Sequence, residues 1–236
     1  MIKIFFFTSA FLDILFPRRC LTCSVFLCHP LSGSTGRQSL EKFLCPVCRQ
    51  QLQIYETRQD GDYRPELERV FSGYLYAGPL EKIIPAWKYH SRHEFFPLVK
   101  ALSGAAMSHQ EISNFDFDLI MAIPLSPAAL RKRGFNQAFY IASRVAAELK
   151  QPPTRNLLVK QIDTQRQASL DRRSRALNLG PDVFQVSEPK QVAGRKILLC
   201  DDVLTTGATL RAAARALKNA GAVSVSALTL ARVVLD

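Results

Sequence analysis

Carboxylates are scarce in this chain of 236 residues: 20 acidic side chains stand against 31 Lys and Arg, leaving a formal charge of +11. A shortage of that size points to an anionic partner, whether nucleic acid, diphosphate or a membrane surface. Internal repeats and low-complexity stretches are also lacking, which excludes a solenoid or a fibrous chain. No apolar run is long enough to span a bilayer. The nearest approach, Ile4 to Leu12, is cut by Asp13 and has no convincing small-x-small cleavage site after it. Met1 to Phe16 therefore reads as a short amphipathic helix docked on the body rather than a secretory signal, with a membrane-surface role left open. With 47% hydrophobic residues, the chain can bury one substantial core and still carry a small appendage.

There are six cysteines, and four form two hooks, Cys20-Leu21-Thr22-Cys23 and Cys45-Pro46-Val47-Cys48. The 21 residues between the hooks fall just outside the usual range for a four-thiolate zinc site but keep its form. Each turn aims two sulfurs at one point, and two turns complete a closed tetrahedron, which is structural rather than catalytic. The intervening Ser32 to Gly36 has no core of its own and gains order from a metal. Two disulfides are the alternative, disfavoured in a reducing cytosol. Cys28 and His29 lie between the hooks as substitute ligands or ligands for a second metal, and Cys200 reads as a small buried hydrophobe.

The most informative stretch is Lys196 to Leu210. Ile197 to Cys200 is an uncharged run without alternation, as expected of a strand covered on both faces of a parallel sheet. It ends in Asp201 and Asp202, at the edge where such sheets bind ligands. Thr205, Thr206, Gly207, Ala208 and Thr209 then make a tight turn whose N–H groups can converge on one anion at the start of the next helix. Acids beside a phosphate cradle make sense if a ribose lies between them, its hydroxyls on the carboxylates and its 5′-phosphate on the loop. The plainer alternative is a strand end that caps a helix. No Gly-Lys-Ser/Thr follows the turn, which excludes a Walker phosphate loop.

Further motifs lie upstream. The apolar run Leu119 to Ile123 stops at Pro124-Leu125-Ser126-Pro127, and Arg131-Lys132-Arg133-Gly134-Phe135-Asn136-Gln137-Ala138 precedes a helix from about Asn136 to Lys150 with Phe139, Ile141, Ala142, Val145 and Leu149 on one face. From Arg131 to Arg175 eleven Lys and Arg face the three acids Glu148, Asp163 and Asp171, so Arg131 and Arg133 are candidates for a diphosphate-facing charge or for a solvated basic surface. Lys160 to Asn178 reads as a mobile basic loop placed to close over a bound anion. Val70 to Ala77 is strand-like, Pro79 to Lys88 is a helix that Pro85 should kink or divide, Phe95 to Met107 is another helix, and Val183-Phe184 and Val223 to Val234 supply further strands. Strands alternating with helices predict an α/β fold with a mostly parallel sheet flanked by helices. The expected organisation is residues 1–55 as amino-terminal helix plus cysteine module, a polar linker near Glu56 to Pro65, and residues 66–236 as the main domain.

Asp201-Asp202 through Thr209 closely resembles the diphosphosugar motif of type I phosphoribosyltransferases. The resemblance implies that the two acids contact the ribose hydroxyls of phosphoribosyl diphosphate, that Thr205 to Thr209 hold its 5′-phosphate, and that the loop with Leu125, Ser126, Arg131 and Arg133 wraps the diphosphate, with Mg²⁺. Taken in order, the cysteine hooks, Arg-Lys-Arg-Gly-Phe-Asn-Gln-Ala, Thr-Gln-x4-Leu-x4-Arg and the diphosphosugar motif resemble the ComF family of competence proteins over essentially the whole chain. That resemblance implies a zinc-ribbon-like module on a phosphoribosyltransferase-like domain, a cytoplasmic location and a role in DNA uptake and natural transformation. Two readings follow: a phosphoribosyltransferase whose acceptor is unknown, or a non-catalytic module that senses a ribose phosphate while gripping single-stranded DNA or a competence helicase. The first lacks an evident base-recognition element, and the second has Trp87, Tyr89 and Phe135 as stacking candidates.

Overall fold

The computed structural model describes residues 17–27, 40–56, 65–89, 94–109, 112–151, 157–160 and 183–234. The helix expected over Met1 to Phe16, Cys28 and His29, and the basic loop from Gln161 to Asn178 lie outside these residues.

Four parallel strands form the centre: β1 (Val70–Leu75), β2 (Leu119–Ala122), β5 (Lys196–Leu204) and β6 (Ser224–Arg232), in the spatial order β1-β6-β5-β2. A separate antiparallel pair joins β3 (Leu158–Lys160) to β4 (Phe184–Val186). The helices are α1 (Pro46–Gln50), α2 (Pro79–Tyr89), α3 (Phe95–His109), α4 (Pro127–Arg133), α5 (Gln137–Leu149), α6 (Pro189–Val192) and α7 (Ala208–Asn219). This is the expected mostly parallel sheet flanked by helices. Its strands are enclosed for the reason their composition indicated: all four residues of β2 are buried, as are Ile197 to Cys200.

Helix periodicity sets the packing. In α5 the buried positions Gln137, Ala138, Ile141, Ala142, Val145 and Ala146 recur every three to four residues. This face packs against β2, β5 and α3. Phe139, assigned to that face from the sequence, is 40% exposed and lies outside it. In α2, Leu80, Ile83, Ile84 and Trp87 are fully buried, and the helix runs undivided through Pro85.

Two differences from the sequence reading matter for function. The strand expected to stop at Cys200 continues to Leu204 with both acids inside it, because β6 pairs alongside from Asp201↔Thr229 to Leu204↔Arg232. On the other side β2 leaves at Ala122↔Cys200, with one last bond from the Ile123 N–H to the Cys200 carbonyl at 3.0 Å. The acidic stretch is thus paired on one edge and open on the other. Secondly, Arg131 to Arg133 form the last turn of α4 rather than a loop. Ser126 caps that helix by accepting from the Ala129 N–H, and Gly134 ends it with φ of 78°.

After α1 the chain returns to the sheet. Ile54 bridges Tyr74 antiparallel, the Leu75 N–H donates to the Gln53 carbonyl and the Tyr55 N–H to the Gly73 carbonyl, so this segment covers the outer edge of β1. Among the described residues no helix is long and apolar enough to cross a membrane.

Gly73 is held by contact: a Cβ there would lie 2.3 Å from the Ala106 Cβ of α3. Gly73→Ala is expected to lower stability by about 1–3 kcal/mol. At Gly104, within α3, an added Cβ meets nothing within 4 Å. Gly104→Ala is expected to leave stability unchanged or raise it by up to about 1 kcal/mol. Urea unfolding of the two variants checks the contrast, and equal effects would contradict the packing.

Candidate ligand cleft and cysteine centre

Where β2 leaves the sheet, a cleft of about 170 Å³ opens beside the acids, walled by Lys88, Ile123 to Leu125, Arg133, Asn136 to Ala138, Lys160 and Thr209 around Asp201 and Asp202. Asp202 is buried and takes an ion pair from Lys88 Nζ at 2.8 Å. Asp201 is half-buried, and its Oδ1 accepts from the Asp202 N–H at 2.8 Å. Loss of solvation, reinforced by the neighbouring Asp202 carboxylate, pushes the Asp201 pKa up to about 7 despite that N–H and the nearby Lys88 and Lys160. Burial likewise pulls Lys160 below the usual lysine range, partly opposed by Asp201. The cleft thus sets two acids against three cations, each from a different element.

At the end of β5, Gly207 adopts φ of 73°, a left-handed conformation that turns the chain into α7. No side chain caps that helix, and the Thr206 hydroxyl accepts from the Ala208 N–H at 3.4 Å. The opening N–H groups of α7 and the exposed Thr205 and Thr206 leave a donor-rich turn beside the acids.

The structure gathers part of the sequence-derived set. Asp201, Asp202, Leu125, Arg133 and Thr209 line the cleft, and Thr205, Thr206, Gly207 and Ala208 form the adjoining turn. Ser126 and Arg131 do not line it, since Ser126 is spent on capping α4 and Arg131 is carried in that helix. Sequence reasoning missed Lys88 and Gln137 as wall residues, whereas Lys160, the first residue of the basic segment expected to close over an anion, does line the cleft. The one signal for Lys88 is its place beside the apolar stripe of α2. Trp87 is withdrawn as a stacking platform: it is fully buried, with ring centroids 5.6 to 6.0 Å from Phe96, Phe135 and Tyr140. Of the Tyr89 side chain the described residues say nothing.

The second candidate site is the cysteine centre. The sulfurs of Cys20, Cys23, Cys45 and Cys48 all lie within 4.8 Å of one another and could hold a metal ion. In the first hook the Cys20 N–H donates to the Val25 carbonyl and the Ser24 N–H to the Cys20 carbonyl; in the second, Cys45 caps α1 and its Sγ accepts from the Cys48 N–H at 3.5 Å. The Leu21 N–H bonds the Phe43 carbonyl across the hooks. All four thiols are free, so the disulfide alternative is not what the structure contains. Burial and the three neighbouring thiols raise Cys48. At Cys20 burial acts upward too, but the backbone groups of Cys23, Cys45 and Thr22 bring it down to about 6.

A family model for the phosphoribosyl transferase domain matches residues 136–233, the span that holds the acids, the Thr/Gly turn and α7. The chain is 27% identical to competence protein ComFC of Bacillus subtilis over 207 residues, 83% of this chain and 82% of that protein. It is 26% identical to competence protein F of Haemophilus influenzae over 226 residues, 91% of this chain and 96% of that one. Over most of its length the chain is similar to these ComF-type competence proteins. DNA utilization protein YhgH of Escherichia coli K12 is 28% identical over 170 residues, 71% of this chain and 74% of that protein. At 91% of this chain, the match to the Haemophilus protein extends well beyond the phosphoribosyl transferase span. Lys88, Leu125 and Arg133 reach the cleft from outside the matched phosphoribosyl transferase span.

The raised Asp201 pKa has a sign that can be tested. Between its ordinary value of 3.8 and about 7 the folded chain binds a proton that the unfolded chain does not, so this group's contribution to stability falls as pH rises through that window. Above about 7 the folded state holds an unfavourable charge. Asp201→Asn is therefore expected to raise Tm more at about pH 8.5 than at about pH 5. A pH-independent difference in Tm would contradict the assignment.

Proposed function

We propose that the cleft binds phosphoribosyl diphosphate or a closely related ribose phosphate. Asp201 and Asp202 accept from the ribose hydroxyls, the turn Thr205 to Thr209 with the start of α7 takes the 5′-phosphate, and Arg133 and Lys160, with Lys88 behind, face the diphosphate. One observation carries the reading: the acid pair, Thr209 of the Thr/Gly turn and the cations Lys88, Arg133 and Lys160 line a single cleft. A phosphate-only site would have no use for two carboxylates, and a sugar-only site none for three cations.

Mg²⁺ fits this donor set. It takes oxygen ligands, typically one or two carboxylates together with substrate phosphates. Asp201, reluctant to ionise by itself, gains from a nearby divalent charge. Bound Mg²⁺ would offset diphosphate charge, while the side chains of this chain orient the sugar and exclude water. Zinc fits the cysteine centre: a tetrahedron with Zn–S near 2.3 Å has sulfurs about 3.8 Å apart. The Cys23 and Cys45 sulfurs are 3.7 Å apart. The role of such a zinc is structural, since four thiolates leave no open position. Ligation needs reduced cysteines, and on that ground we place the protein in the cytoplasm.

At the cellular level we assign a role in DNA uptake, supported by the competence and DNA-utilization names of its relatives. Single-stranded DNA or a competence helicase is the partner expected for the basic excess. Transfer of the phosphoribosyl group to an acceptor is a step beyond binding, and diphosphate release reads it directly.

Calorimetric titration with phosphoribosyl diphosphate and Mg²⁺ is expected to show saturable binding that Asp201→Asn/Asp202→Asn weakens by more than about tenfold. No saturable binding, or equal binding by the double variant, would sink the proposal. For the cysteine centre, X-ray fluorescence of purified protein should find about one zinc per chain. Less than about half an equivalent would remove zinc from this account.

A further inference from the structure

Gln137 is the most enclosed polar side chain at the cleft: only 1% of it is exposed, and it lines the same cavity as Asp201 and Asp202. Its Oε1 accepts from Arg133 Nη1 at 3.3 Å. Its Nε2 is buried and has no hydrogen-bond partner among the described residues. Arg133 decides which end of the amide is which, because a guanidinium only donates and a flipped amide would set donor against donor. Folded chains leave few buried donors unpaired, and one in the wall of the cleft is accounted for when a ligand brings the acceptor.

The surroundings hold this donor in place. Asn136 Oδ1 already accepts the N–H groups of Ala138 and Phe139, at 3.0 and 3.4 Å. Asn136 Nδ2 donates to the Ile123 carbonyl at 3.0 Å, tying the start of α5 to the end of β2. With those backbone donors capped, the Gln137 amide is a neutral donor that this corner offers.

The next step rests on the proposed reading of the cleft as a ribose-phosphate site. With the ribose hydroxyls on the acid pair and the 5′-phosphate on the Thr/Gly turn, the substituent at C1 is the part left to meet the wall of Gln137, Arg133 and Lys160. We infer that Gln137 is a specificity-determining residue, whose oriented, buried amide donor binds an oxygen of an extended anionic C1 substituent and so selects phosphoribosyl diphosphate over ribose 5-phosphate. Arg133 has two tasks in this arrangement: it orients the amide and adds charge to the same wall.

The test titrates phosphoribosyl diphosphate with Mg²⁺ and, separately, ribose 5-phosphate into wild type, Gln137→Met and Gln137→Glu, with thermal unfolding as a check on folding. Gln137→Met removes the donor at nearly constant shape; Gln137→Glu keeps the acceptor for Arg133 but turns the free end into a repelling carboxylate. Supporting results are a loss of about tenfold in diphosphate-ligand affinity for the Met variant, a larger loss for the Glu variant, and ribose 5-phosphate affinities within about twofold of wild type. Equal weakening of both ligands, no change for either, or a wild type that binds the two ligands alike would overturn the inference. A wild type that binds neither ligand refutes the ribose-phosphate reading itself, and the role of Gln137 falls with it; this outcome is distinct from a wild type that binds while the variants match it.

Discussion

The cleft depends on a mismatch in strand length. β5 and β6 stay hydrogen-bonded from Lys196↔Ser224 to Leu204↔Arg232, whereas β2 leaves β5 at Cys200. Backbone pairing to β6 keeps the acidic segment extended, and after the departure of β2 no strand among the described residues pairs with its other edge. Below the acids the strand is fully enclosed, with Ile197 to Cys200 at 0% exposure. Thr229, level with Asp201 and Ser72 across the sheet, is buried with its hydroxyl 2.9 Å from the Ser72 hydroxyl, so the polar row continues into the core without an unpaired group there.

Around that edge, one aromatic cluster ties together the elements that supply the wall. Trp87 of α2 packs on Phe96 of α3, on Phe135 before α5 and on Tyr140 within α5, and the Tyr140 hydroxyl donates to the Phe96 carbonyl at 2.8 Å. Lys88 follows Trp87, and Arg133 and Gln137 flank Phe135. Burying these rings positions three polar wall residues at once, the kind of support a binding site needs from its packing. The Lys88–Asp202 pair closes the circuit: with side chains 20% and 10% exposed, it is dry enough that removing either partner would leave a poorly solvated charge.

The cysteine module follows a different rule. The buried Cys20, Leu44, Cys45 and Cys48 give its described part few enclosed side chains, and its four clustered thiols could hold a metal ion. Its link to the sheet is the bridge of Ile54 to Tyr74, which adds an antiparallel segment to the free edge of β1. The boundary set near residue 55 from composition therefore coincides with a segment that is paired to the main sheet, because an exposed strand edge recruits whatever chain lies within reach.

Local chemistry was legible in the sequence. Cysteine spacing gave the metal-capable cluster, the uncharged run before Asp201 gave a doubly covered strand, and Thr-Thr-Gly-Ala-Thr gave the turn into a helix; each depends on neighbours within a few residues. What lay beyond reach depends on residues distant in the chain. Lys88 stands more than a hundred positions from Asp202, and only the packing of α2 brings them to 2.8 Å. Strand length past Cys200 was decided by β6, Arg131 was diverted by a helix that Ser126 caps, and Trp87 was drawn inward by three rings on other elements. By itself the sequence determined which groups are candidates for phosphate, sugar and metal, because residue type and local spacing are read along the chain. Tertiary structure alone decided which of them share a cavity, because burial and strand pairing act between segments that carry no information about one another until they meet.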